Sequence, residues 1–237
     1  MSIVRTIQPQ LNRAMYFNGT NAYINAGHAD SINIVNAITV EAWVMFLRDP
    51  KLDSYSGILG KTYFDWKGYT LQTGPYTGKL MFTLGIAIEW ISVNSNTVFA
   101  RGVFYHVVGT FDRKTLKLYT NGTLDCTPVS YSGTIAEDPT KDLAIGMVPD
   151  GRTKYVNALI PLVRIYKDKA LSDSEVRHNM LNPNNPIRDG LVLWLDARAC
   201  DTSKNVCWDL SGNGNHGTMY GVQIVSLPNQ VVVGGRM

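Results

Sequence analysis

Charge is scarce in this chain. Only 17% of its 237 residues are Asp, Glu, Lys or Arg, and the formal net charge is a mild +3. No run of Lys or Arg marks nucleic-acid or membrane-surface binding. Long apolar runs are missing too, so no stretch reads as a bilayer-spanning helix. The N-terminal MSIVRTIQPQLNRAM has no apolar centre of the kind a secretory signal carries. The expectation is a chain that bypasses the usual export route, has already been processed, or leaves by lysis or assembly. Helical signal is confined to Ser172–Leu181, where Ser172 and Glu175 have capping-box spacing and Pro183 stops the run. Cysteine is limited to Cys126, Cys200 and Cys207. The spacing excludes a zinc CxxC pair. Cys200 and Cys207 flank Asp201–Val206, and either close a short disulfide loop or remain reduced, buried thiols.

What is present suits strands joined by turns: 21 Gly, 12 Tyr and 45% hydrophobic residues overall. The densest signal is Val103–Leu124. Val103, Tyr105, Val107 and Gly109 share one face, and Phe104, His106, Val108 and Thr110 the other. Asp112–Thr115 breaks the run with turn residues. Leu116, Leu118 and Thr120 then alternate with Lys117 and Tyr119, and Asn121-Gly122 supplies the dipeptide that best tolerates a tight hairpin turn. Further strands are expected at Ala14–Phe17, Ala22–Asn25, Ile38–Phe46, Gly57–Lys61, Tyr69–Thr73, Lys79–Leu84, Glu89–Val93, Asp142–Met147, Ala158–Tyr166 and Leu191–Asp196. In Ile38–Phe46, Val40, Ala42 and Val44 face one way; Thr39, Glu41, Trp43 and Met45 face the other. Many short strands at regular intervals indicate an all-β antiparallel sandwich or jelly roll with one short helix towards the C-terminal third. Asn182–Asp189 reads as a connector, and Val231–Met237 as a terminal arm.

Four motifs carry a family resemblance. Ala14–Ile24, with Phe17-Asn18-Gly19-Thr20 at its centre, resembles the opening strand pair of laminin-G-like (LamG) domains in the concanavalin A-like lectin/glucanase superfamily. Ile38–Val44 is similar to the next core strand of that family. His106–Asp112 with Leu116–Gly122 resembles its central hairpin, and Val163–Tyr166 with Ala170–Val176 its closing strand and helix. The resemblance implies one sandwich over residues 1–237, with a core at 14–181. It departs from the family at Gly190–Val222, where Leu193–Asp196 and Asp209–Thr218 match a pattern that opens many members. Here that pattern comes last. The 190–227 segment is therefore expected to complete its own sheet, with exchange into a neighbouring subunit or a truncated second repeat as alternatives.

Function is read against this background. The closely spaced strand carboxylates of a glucanase are missing, so no enzyme is expected. Calcium is a cofactor that the resemblance allows, though none is required. Its candidate ligands are Asn18, Asn21, Glu137, Asp138 and Asp142, because a hard cation takes oxygen ligands. Asp209, Asn213, Asn215 and His216 fit a Gly-rich turn closed by Asx bonds. Carbohydrate contact calls for aromatic platforms beside polar groups. Tyr55, Tyr63, Trp66, Tyr69 and Tyr76 are the candidates, with Phe64 between them. Asn18-Gly-Thr and Asn121-Gly-Thr match the N-glycosylation pattern. The expected role is a non-catalytic module that recognises a glycan or glycoprotein surface in adhesion or attachment. It would sit extracellularly or on a virion or other particle surface. The alternative is a structural virion or cell-envelope protein that assembles as a homo-oligomer through sandwich packing or strand exchange.

Overall fold

The computed structural model describes residues 11–63, 65–149 and 154–228. Phe64, the Tyr63 side chain and the Val231–Met237 arm lie outside the described residues. The strands form a curled antiparallel sheet whose two layers face each other as a jelly-roll sandwich. The first layer is built on β3 (Ile38–Phe46) and β8 (Phe104–Phe111), which pair along nearly their whole length. Beyond β8 lie β9 (Thr115–Thr120) and its short partners β10 (Thr123–Leu124) and β11 (Val129–Ser130). On the other side of β3, β15 (Asn157–Ile160) and β16 (Leu162–Lys167) lie end to end, separated by Pro161. The free edge of β15 pairs with β1 (Arg13–Asn18), and β1 pairs in turn with β20 (Gln223–Ser226). The second layer runs through β2 (Tyr23–Asn25), β12 (Ala144–Ile145), β4 (Gly57–Tyr63), β5 (Lys67–Thr73), β6 (Leu80–Gly85) and β7 (Trp90–Asn94). β13 (Met147–Val148) and β14 (Lys154–Tyr155) close one corner.

The C-terminal segment enters both layers of its own chain. β17 (Leu191–Asp201) pairs with β16 over Leu191–Asp196, and its far end pairs with β18 (Val206–Asp209). β18 pairs with β19 (Gly217–Tyr220), and β19 pairs with β2. A register shift between Leu195 and Cys200 marks where β17 leaves one layer for the other; strands commonly change layers through such irregularities. Cys200 and Cys207, opposite each other across β17 and β18, are joined by a disulfide. Cys126 is free and buried.

Alternation decides which residues fill the space between the layers. Val40, Ala42, Val44, Tyr105 and Val107 point inward, where they meet Leu71, Phe82 and Leu84 from the opposite layer. Phe82 lies so close to Gly109 that a Cβ there would stand 2.5 Å from its ring. At the hairpin tip, Asn121 (φ 51°) and Gly122 (φ 74°) hold the paired positive angles of a tight turn.

The outer face of the first layer is also covered. Helix α1 (Asp173–Leu181) packs over it, starting at the Ser172–Glu175 capping box and tied to β9 by the Tyr119 hydroxyl, which donates to Asp173 Oδ1 at 2.7 Å. Beneath the helix, Glu41 is fully buried. Its Oε1 accepts from Arg164 Nη1 at 2.8 Å and lies 3.0 Å from His106 Nε2, while Oε2 accepts from Asn179 Nδ2 at 2.8 Å. Arg164 also donates to the Pro183 carbonyl and stacks over Trp194 at 4.8 Å. Burial by itself would raise the Glu41 pKa, but Arg164, His106 and Asn179 together bring it down from 4.5 to about 2.

A carboxyl whose folded pKa lies below its unfolded value stabilises the fold above the unfolded value, and that stability is lost as pH falls through the folded one. Glu41 therefore contributes fully above pH 4.5, and its contribution fades between pH 4.5 and about 2. Urea unfolding at neutral pH should show Glu41→Gln destabilised by about 3–5 kcal/mol, because Arg164 is left buried without its counter-charge. Unfolding measured from pH 5 down to pH 2.5 should then show a weaker acid dependence in the variant than in the parent. A separate expectation concerns the disulfide. Joint Cys200→Ser and Cys207→Ser replacement should cost about 2–3 kcal/mol for a loop this short, and thiol titration of the denatured parent should count one free thiol.

Candidate functional site

The sequence-based aromatic cluster does not assemble into one platform. Tyr69 is fully buried in the core, where its hydroxyl donates to the Ile32 carbonyl at 3.1 Å. It therefore offers no face to a ligand, because β5 alternation turns it into the core between the layers. Trp66, 46% exposed, sits in the turn before β5. Tyr76, 70% exposed, sits in the turn after it, with its N–H held by the carbonyl of Asp53, two residues before half-buried Tyr55. A seven-residue strand separates the two ends, a span on the order of 20 Å.

The oxygen ligands proposed for calcium are likewise engaged in separate groups. Asn18 Oδ1 accepts from the N–H groups of Thr20, Asn21 and Ala22, and its Nδ2 donates to Asn21 Oδ1 at 2.7 Å. This is a self-closed Asx turn. Glu137 pairs with the buried Lys61 ammonium, which also donates to the Asp138 carbonyl at 2.7 Å. Asp138 Oδ1 accepts from Thr140. No cluster of three or more His, Cys, Asp or Glu suited to a metal occurs among the described residues.

A different constellation forms where the C-terminal strands join β2. Alternation on β18 and β19 turns Cys207, Gly217 and Met219 inward and leaves Trp208, Thr218 and Tyr220 exposed. Cross-strand register places Thr218 beside Asn25 and Tyr220 beside Tyr23 on that outer face. The Tyr23 and Tyr220 rings stack at 4.7 Å and 10°, and Tyr155 leans against Tyr23 at 6.2 Å. Trp208 is 43% exposed and Tyr220 45%. Trp208 also meets the His216 ring edge-on at 4.9 Å.

Next to these rings opens a groove of about 400 Å³, lined by Asn25–Ala29, Asp142, Gly214–His216 and Thr218. Its polar groups are held in place. Asp142 Oδ1 lies 2.7 Å from His28 Nδ1, and Oδ2 accepts from Asn25 Nδ2 at 2.8 Å. Partial burial raises the Asp142 pKa, but hydrogen bonds from His28 and Asn25 outweigh it and hold the carboxyl below its usual range. The Asp209 N–H donates to His216 Nδ1 at 3.0 Å, so the ring proton sits on Nε2. The expected Asx-closed turn is present beneath. Asp209 accepts from Trp194, Ser211 and Asn215, and buried Asn215 donates to Ser31 and to the Val192 carbonyl. The rings were missed in the sequence because Tyr23 lies about 200 positions from Tyr220. The alternation Cys207-Trp208 and Gly217–Tyr220 was the available signal for β18 and β19.

Several solved structures share this fold. A Bacteroides ovatus protein named for carbohydrate binding matches at TM-score 0.71 and 19% identity, over 94% of this chain and 62% of that one. The chain thus spans less than two thirds of that protein. The CBM40 domain of the Ruminococcus gnavus IT-sialidase, bound to α2,3-sialyllactose, matches at TM-score 0.58 and 14% identity, over 73% of this chain and 100% of that one. Domain 4 of an extracellular arabinanase from Geobacillus stearothermophilus, in complex with arabinotriose, matches at TM-score 0.52 and 16% identity, over 70% and 86%. No curated protein matches the sequence. The family model Laminin_G_3, of the concanavalin A-like lectin/glucanases superfamily, matches residues 18–177, and the chain belongs to that family.

Proposed function

We propose that this chain is a non-catalytic carbohydrate-binding module whose binding surface is the outer face of β18, β19 and β2 together with the adjoining groove. The observation that carries this reading is the placement of exposed rings beside fixed polar groups. Trp208 and the Tyr23–Tyr220 stack border a groove presenting His28, Asp142, His216 and Thr218. Sugar rings have apolar C–H faces that stack on aromatics and hydroxyls that need donors and acceptors, so recognition draws on both.

Glycoside hydrolysis by the common route uses two carboxylates flanking the scissile bond. Among the described residues lining the groove, Asp142 is the sole carboxylate, which favours binding over cleavage. Neighbours named for carbohydrate binding, or solved with bound oligosaccharides, support the same reading. The Cys200–Cys207 disulfide suits an oxidising, extracellular setting.

Screening the full chain on a glycan array should give hits that weaken at least tenfold in Trp208→Ala and in Tyr220→Ala, with thermal unfolding unchanged within a few degrees. Retained affinity in both variants would move the site elsewhere, with the exposed Trp66 and Tyr76 turns as the next positions to test.

A further inference from the structure

The groove has a definite electrostatic and hydrogen-bonding character. Among its described lining residues there is a carboxylate but no Lys or Arg. Lys61, the ammonium whose charge reaches Asp142, is buried on Glu137, and Lys141, next to Asp142 in sequence, is not among the lining residues. An anionic ligand seated here would face Asp142 with no guanidinium or ammonium among the described lining residues to offset it, and like charges in a partly desolvated site repel.

The donor and acceptor directions are also set. His216 takes the Asp209 N–H on Nδ1 and so presents Nε2–H as a donor. His28, whose side chain is 58% exposed, is turned by Asp142 with Nδ1 towards the carboxylate. Each Asp142 oxygen has one protein partner and keeps acceptor capacity, since a carboxylate carries about four lone-pair sites in all. A hydroxyl both donates and accepts. Two neighbouring hydroxyls could therefore donate one hydrogen bond to Asp142 and accept one from His216 Nε2–H, while the C–H face of the ring meets Trp208 or Tyr220.

We infer that the groove beside Trp208 and Tyr220 takes a neutral sugar residue through adjacent hydroxyls and excludes carboxylated or sulfated sugars. The inference rests on the carbohydrate-binding reading and adds a ligand class to it. The charge on Asp142 sets the selectivity, and the rings supply contact area that is indifferent to it.

The test uses the full chain and matched pairs of oligosaccharides: neutral galacto-, gluco- and arabino-oligosaccharides, with sialylated, uronate-containing or sulfated counterparts. Affinities are measured by titration calorimetry on the parent, Asp142→Asn, Asp142→Ala and Trp208→Ala, with thermal unfolding as the folding control. The expected result is binding of a neutral ligand that exceeds its anionic counterpart. That binding should fall about tenfold or more in Asp142→Ala, as loss of a charged hydrogen-bonding group predicts. Asp142→Asn should narrow the gap between neutral and anionic ligands. Tighter binding of the anionic member by the parent, lost in Trp208→Ala, would overturn this inference and leave the carbohydrate-binding reading standing. Absence of binding to either class would overturn both.

Discussion

A carboxylate taken fully out of water must be met by donors that cannot move away, because an unpaired buried charge costs several kcal/mol. Glu41 sits in the middle of the longest strand pairing of the first layer, and its partners come from three other elements. His106 lies on β8, the neighbouring strand of the same layer, Arg164 lies on β16, and Asn179 lies on α1. The helix is therefore held by more than apolar contact. Asn179 donates to Glu41 and accepts the Ile187 N–H, and Arg164 donates to the Pro183 carbonyl. The Asn182–Asp189 connector is pinned to the same network as the helix before it. The Arg164 and Arg188 guanidiniums both stack on Trp194 of β17, at 4.8 and 4.7 Å from its ring centre. That arrangement brings the C-terminal segment under the same control.

This coupling explains how β17 can leave one layer and join the other. Its first half is anchored by β16 pairing and by the stacked Trp194; its second half is secured by the Cys200–Cys207 disulfide across to β18. Between them, Asp196 turns back on Arg198, accepting both its backbone N–H and its Nε–H. The bend at the register shift is thus fixed on each side by an interaction that simple pairing would not supply. β18 and β19 then extend the second layer past β2.

Much of this architecture was legible along the chain, because alternation and turn chemistry are local. Ile38–Phe46 matches β3 at both ends, Ser172 and Glu175 form the expected capping box, and Asn121-Gly122 adopts the expected positive angles. β19 and β20 escaped notice because four-residue strands carry too little pattern to stand out. Glu41 read as an ordinary strand residue, since its partners lie 65, 123 and 138 positions away and no local signal links them. Tyr69 read as a ligand platform because it stands among exposed aromatics in sequence. On β5, though, every second side chain turns inward, and Tyr69 is one of them. Asn18 and Glu137 read as cation ligands for a related reason. Residue type was visible, but the Asx turn that engages Asn18 and the Lys61 ammonium that pairs with Glu137 were not.

The position of the groove separates what the family shares from what is particular to this chain. The family match ends at residue 177, whereas Trp208, His216, Thr218 and Tyr220 all come later. Their counterparts Tyr23, Asn25, His28 and Asp142 lie inside the matched region. Neither half makes the surface alone: the matched part gives one Tyr of the stack and the carboxylate, and the C-terminal part gives the other Tyr, the Trp and the His216 donor. A sandwich scaffold does not determine its ligand. The proposed site lies at a seam that exists because a late segment was woven back into the sheet. Much of the cost of ordering that segment is met by interactions remote from the groove, the Glu41 network and the disulfide, while Asn215 and His216 close the turn beside it.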